Sequence, residues 1–198
     1  MTRKSIRALG LAVGLVIWSF VPRRHPVVQA TLGAAFVAAM KAPVGLRPPA
    51  LWAGLRLGSA AASVVAAAVG TSTAIPRVRS SMAERTPPAA PAAWLALQIP
   101  VGTVWFEEAA YRGALATLSA DAFGPRGRVV QAAAFGLSHI ADARATGEPV
   151  IGTVVATGAA GWVFGWLAER SGSLAAPMLT HLAINEAGAI AALLLQRR

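Results

Sequence analysis

The chain has no cysteine among its 198 residues, which excludes disulfides and thiolate metal sites. Charge is scarce as well. Asp, Glu, Lys and Arg make up 13% of the residues, about half the share usual in a soluble domain. From Thr86 to Phe106 there is no charged residue at all. The net charge is +10, yet there is no basic stripe and no interleaved aromatic pattern, so no nucleic-acid partner is expected. No His-Glu-x-x-His segment occurs, so the direct helical signal for zinc is missing. No internal repeat is visible, which speaks against a transporter built from paired halves. The basic, apolar start "MTRKSIRALGLAVGLVIWSF" has the look of a signal peptide but lacks a small-x-small site before Arg23-Arg24. It reads as a retained first helix.

What the chain has in abundance is apolar sequence. Hydrophobic residues make up 56%, and mean hydropathy is +0.57. They fall in blocks: Ala8 to Pro22, Val27 to Met40, Leu57 to Ile75, Thr86 to Phe106 and Pro149 to Ala168. A helix crosses the hydrocarbon layer with about 20 residues. The later blocks reach that length, and the first two are completed by basic ends that can snorkel. The expected fold class is therefore all-α, a polytopic transmembrane bundle of about seven helices. They are placed roughly over 6–22, 27–45, 49–75, 91–119, 127–142, 149–170 and 174–196.

Breaks rich in Pro, Gly or charge separate these spans, the longest being a solvent-facing loop from Pro76 to Pro91. Pro100 should kink the fourth helix. The fifth block is short and amphipathic, suited to a half-helix. Residues 1–198 read as one integral membrane domain, with the chemistry in 91–198. The lipid bilayer is the expected surrounding, and basic residues at block ends would meet its headgroups. Lys and Arg divide eight against eight between the two sides, counting Arg23, Arg24, Arg197 and Arg198, so charge bias assigns no orientation.

Ionisable groups inside membrane helices are costly and default to function. Three places stand out. The stretch "WFEEAAYRG" holds Glu107, Glu108 and Arg112; "FGLSHI" holds Phe135 and His139; "THLAIN" holds His181 and Asn185. Residues four apart share a helix face. Glu108 can thus pair with Arg112, and His181 and Asn185 can enter one cavity. Glu107 is turned about 100° from Glu108 in an α-helix, so the two carboxylates are free to do different jobs. The third histidine, His25, lies in the basic loop "PRRHP" at headgroup level. Gly161 and Gly165 read as helix packing. Trp94, Trp105, Trp162 and Trp166 read as core or interface anchors, Ser173 as an N-cap, and Glu186 as a packing or loop-side residue.

"EEAAYRG", "FGLSH" and "HLAIN", in this order, resemble the three motifs of the CPBP family of CAAX prenyl endopeptidase-type and Abi-type membrane proteases. "GWVFGWLAERSGSLAAPMLTHLAIN" also resembles that family's approach to its third motif. The likeness covers Pro91 to Arg198, with Tyr111 where Phe is common. It implies a multi-pass hydrolase of a bacterial cell membrane, an intramembrane endopeptidase acting on membrane-anchored proteins or peptides. By the same resemblance Glu107, His139, His181 and Asn185 are catalytic, and Glu108, Arg112 and Phe135 support them. Glu107, helped by His139, would activate water, while His181 and Asn185 would stabilise the oxyanion.

No cofactor is required in that mechanism. The alternative is zinc held by Glu107, His139 and His181. A water activated by the glutamate is preferred, because Asn185 is better placed to face the cavity than to stand behind the His181 ring. Two other functions stay open: a non-catalytic immunity or scaffold protein of the Abi type, and a small proton-coupled transporter. The family's analogy also suggests prenylated C-a-a-X proteins as substrates. The chain's own end, "LLLQRR", is not such a motif.

Overall fold

The structure is a computed structural model and describes residues 1–22, 25–86 and 88–196. Of the basic residues weighed for orientation, Arg23, Arg24, Arg197 and Arg198 lie outside the described residues. The described residues are helical with no strand, so the all-α expectation holds. In chain order the helices begin with α1 (Arg3–Ser19), α2 (Pro26–Met40), α3 (Ala50–Ser72), α4 (Pro76–Ala83) and α5 (Pro91–Ala93). After them come α6 (Ala116–Phe123), α7 (Gly127–Leu137), α8 (Ile140–Thr146), α9 (Val150–Ser171) and α10 (Ala175–Gln196).

Local chemistry sets many of these ends. Thr2 caps α1 by accepting the Ser5 amide at 3.2 Å. Pro26 opens α2, where its missing N–H costs nothing. Gly172 closes α9 in the left-handed region at φ 67°. Ser173 then accepts the Ala175 amide at 3.1 Å, the cap expected for α10.

Three expectations needed revision. The segment 91–119 was expected to be one α-helix. It is a continuous rod from α5 to α6, but its turns are widened to i→i+5 bonding over Trp94–Trp105 and Glu108–Leu115. Pro100, inside the first wide stretch, has no N–H to give and crowds the carbonyl one turn back. A wider turn relieves both problems, and such turns recur at functional sites. The block 127–142 is split at Ser138 and His139 into α7 and α8. The long loop after α3 contains α4, a short helix with no buried residue.

Among the described residues, three helices are long and apolar enough to cross a membrane: Ala50–Ser72, Val150–Ser171 and Ala175–Gln196. Pro26–Met40 is a shorter apolar helix. The distribution of polarity makes the same point. Ile151, Val64 and Val155 are 82%, 71% and 66% exposed, whereas Glu108 and Gln131 are wholly buried. In water that would be upside down. In lipid it is the stable arrangement, because the outside is hydrocarbon and polar groups must find partners within.

Helices in lipid gain no hydrophobic drive from meeting each other, so close approach has to come from small side chains. Gly58 of α3 shows this. A Cβ there would stand 2.8 Å from the Ala176 Cα, so only glycine lets α3 lie on the start of α10. The central cluster joins Leu15 of α1, Phe106, Tyr111 and Leu115 of the wide rod, Phe135 of α7, and Phe164 and Leu167 of α9. The first helix is thus part of the core around the motif.

Candidate active site

The wide rod, α7, α8 and α10 bring the polar residues to one cleft of about 1350 Å³. Glu107, Tyr111, His139, His181 and Asn185 all line it. Glu108 and Arg112 do not. They lie behind the cleft wall with side chains wholly buried, joined by an Arg112 Nη1 to Glu108 Oε1 bond of 3.1 Å. The two adjacent carboxylates are therefore separated as expected, one toward the cleft and one sealed.

Glu108 does more than the sequence suggested. Its Oε1 is also 2.8 Å from Nδ1 of His181, 73 positions further on. One carboxylate oxygen thus holds a guanidinium and an imidazole together. That bond turns the other ring nitrogen, Nε2, toward the cleft, 3.8 Å from Glu107 Oε2. His139 has a different anchor. Its Nδ1 lies 2.8 Å from the carbonyl of Phe135. A carbonyl only accepts, so Nδ1 carries the proton and Nε2 of a neutral His139 is bare. His139 itself sits at φ −90°, ψ 2°, at the break between α7 and α8, in the sparsely populated region where active-site residues recur.

Aromatic rings fix the rest. Phe135, expected as a support, has the Arg112 guanidinium 3.9 Å from its ring centre and packs edge-on to His139 at 4.7 Å. Phe164 was not picked out from the sequence. It stacks on His181 at 5.1 Å and 26°, and the Arg112 guanidinium is 4.9 Å from its centre. The signal that could have found it is its place between Gly161 and Gly165. A Cβ at Gly161 would come within 2.9 Å of Phe135 and 3.3 Å of Arg112 Nη2, so α9 can approach this pair only there. Packing was the reading for these glycines, and packing against the site is what they do.

Asn185 makes no side-chain hydrogen bond among the described residues, and it lines the cleft. Glu107 Oε2 likewise has no hydrogen-bond partner there. No group of three His, Asp or Glu side chains among the described residues is close enough to hold a metal ion. The acceptors behind both rings are Glu108 and the Phe135 carbonyl, and Asn185 is not one of them. Of the bland readings, Trp105 donates to the Ala30 carbonyl at 3.0 Å, and Glu186 does not line the cleft.

An apolar helical bundle that gathers a carboxylate, two imidazoles and an amide at one cleft has the makings of a membrane-embedded hydrolase. The family model described as Type II CAAX prenyl endopeptidase Rce1-like matches residues 89–187, half of the chain and all three motifs, and the chain belongs to that family. It is thus an integral membrane protein of the CAAX-type protease class. No curated protein and no solved structure matches the chain.

Proposed function

We propose that the protein is a multi-pass intramembrane endopeptidase, of a bacterial cell membrane, in which Glu107 and His139 activate water while His181 and Asn185 stabilise the oxyanion. Its substrates are proteins or peptides held at the membrane, and residues 91–198 supply the working core. The observation that carries this reading is the pair of anchors behind the two imidazoles. His139 is held by a carbonyl, so a neutral ring offers a bare Nε2 to accept a hydrogen bond from the water. His181 is held through Nδ1 by a carboxylate. To donate from Nε2 as well, it must carry both protons. Glu108 and Arg112 then balance it: with Glu107, the four groups hold two negative and two positive charges. A neutral set is the tolerable one where water is scarce.

The reaction follows from these roles. Water sits within reach of Glu107 and His139, and Glu107, helped by His139, takes its proton as its oxygen attacks the peptide carbonyl. The carbonyl oxygen becomes an oxyanion held by His181 Nε2–H and the Asn185 amide. The tetrahedral carbon collapses, the C–N bond breaks, and the leaving nitrogen takes the proton stored on the base. The products are a carboxylate and an amine. Each oxyanion donor contributes about 3–4 kcal/mol in such sites.

A scaffold that kept these residues only as a polar network would need none of them at an open cleft. The place of Glu107, His139 and Asn185 on the wall of one cleft favours catalysis instead. The test is cleavage of a membrane-anchored reporter peptide by purified protein. The Glu107→Gln variant should be inert but folded; cleavage at the wild-type rate would refute the proposal. Long chelation with metal analysis in parallel tests the zinc alternative. Turnover should persist at substoichiometric metal, and loss of activity with recovery on added zinc would make Glu107 a ligand.

A further inference from the structure

Far from the cleft, at the outer end of α3, lies an arginine with no role in the account so far. Arg56 is the only charged residue of α3, a helix otherwise built to cross a membrane. It is exposed, and it stands six residues into the helix, which at ~1.5 Å per residue is roughly 9 Å along the axis. Arg170, in the last turn of α9, stands beside it. The two line a depression of about 370 Å³ between α3 and α9, whose other walls are Ala53, Leu57, Ala60 and Ser171. Among the described residues no carboxylate lines it. The acids at this end of the bundle are engaged elsewhere. Asp121 is held by Lys4 at 2.7 Å, and Glu169, next to Arg170 in sequence, is taken by Arg128 through Nε at 3.0 Å and through Nη2.

Among the described residues neither guanidinium has an acidic partner, and two like charges lining one hollow favour an anion there. The walls tell which kind. Ala53, Leu57 and Ala60 line the hollow with methyl and isobutyl groups that acyl chains can cover, and arginines near a membrane surface meet its anionic headgroups. Guanidinium forks match phosphate oxygens in pairs. We infer that Arg56 and Arg170 form a binding site for the phosphate of an anionic phospholipid, with the lipid's chains against Ala53, Leu57 and Ala60. The site clamps α3 to the end of α9, and so supports the α3–α10 contact at Gly58 from outside.

The test uses the full chain in detergent, freed of endogenous lipid, with phosphatidylglycerol and phosphatidylcholine of matched acyl chains as probes. Native mass spectrometry reads retained lipid and thermal unfolding reads stability. Wild type should retain phosphatidylglycerol and gain thermal stability from it, and phosphatidylcholine should do neither. Arg56→Gln with Arg170→Gln should lower retention roughly thirtyfold, about fivefold or more from each arginine near an anionic surface. Arg128→Gln, which removes an arginine of the same face that already has its own carboxylate, should retain the lipid as wild type does. If the double variant does not fold, Arg56→Gln alone should still show about a fivefold loss. Equal retention by wild type and variants, or equal retention of the two lipids, would overturn the site. So would inorganic phosphate alone giving the full stabilisation, since a free anion would then be the occupant.

Discussion

The cleft wall and the seam behind it are built from neighbouring residues and obey different rules. On the wall, Glu107 keeps 22% of its side chain exposed, with Oε2 at 3.8 Å from Nε2 of His181. In the seam, Glu108 is wholly buried, and its Oε1 binds both Arg112 and His181. The wall residues face an open cleft, whereas the seam residues hold one another and are walled by Phe135 and Phe164. The lesson is that reactivity here depends less on residue type than on which side of one helix a carboxylate is turned. The seam gives the wall a fixed imidazole, and in the proposed reaction the wall does the chemistry.

The comparison can be broken at either region. The largest effect belongs to the wall. Glu107→Gln should lower turnover by roughly 10²–10⁴-fold, the range of a lost general base, with an unfolding midpoint like that of wild type. Next is Asn185→Ala, which should cost about 10²–10³ in kcat and little in substrate affinity; a pure KM effect would remove Asn185 from the oxyanion role. In the seam, Glu108→Gln should leave a buried, uncompensated Arg112 and cost roughly 3–5 kcal/mol of stability. Adding Arg112→Met to it should restore much of that stability. Turnover should stay low, because His181 has still lost its charged anchor, and recovery of both would show that Glu108 serves Arg112 alone.

Smaller effects should follow at the edges. Phe164→Leu should reduce turnover by up to about thirtyfold, from a stacked ring and a cation–π contact each worth about 1 kcal/mol, with Phe164→Tyr close to wild type. A Phe164→Leu loss confined to expression level would make Phe164 mere packing. Smallest of all is the rim pair Arg85 and Glu148, 3.5 Å apart and 63% and 50% exposed. Arg85→Ala should change stability by less than about 1 kcal/mol.

Much of the site was legible because charge inside an apolar run cannot hide. Glu107, Glu108, Arg112, His139, His181 and Asn185 announce themselves by the cost of their surroundings. The helix positions were legible for the same reason, since Pro, Gly and charge mark where hydrocarbon ends. The remainder depends on partners with no side-chain signature. The carbonyl of Phe135 could belong to any residue, yet it sets the proton on His139. The Glu108–His181 bond joins positions 73 apart, and spacing within one helix says nothing about it. The wide turns arise from how Pro100 and its neighbours share hydrogen bonds, which residue type alone does not settle.

The account rests on two imidazoles doing opposite work, one accepting a hydrogen bond from the water that Glu107 activates and one donating to the oxyanion. The chain has three histidines, so ¹⁵N-histidine labelling of the purified protein yields three residues to assign, with His25→Asn removing one. Measured at the pH of turnover, the ring nitrogens should show His139 with its proton on Nδ1 and a bare Nε2, and His181 with protons on both nitrogens. A proton on Nε2 of His139, or a bare Nε2 on His181, would contradict the division of roles.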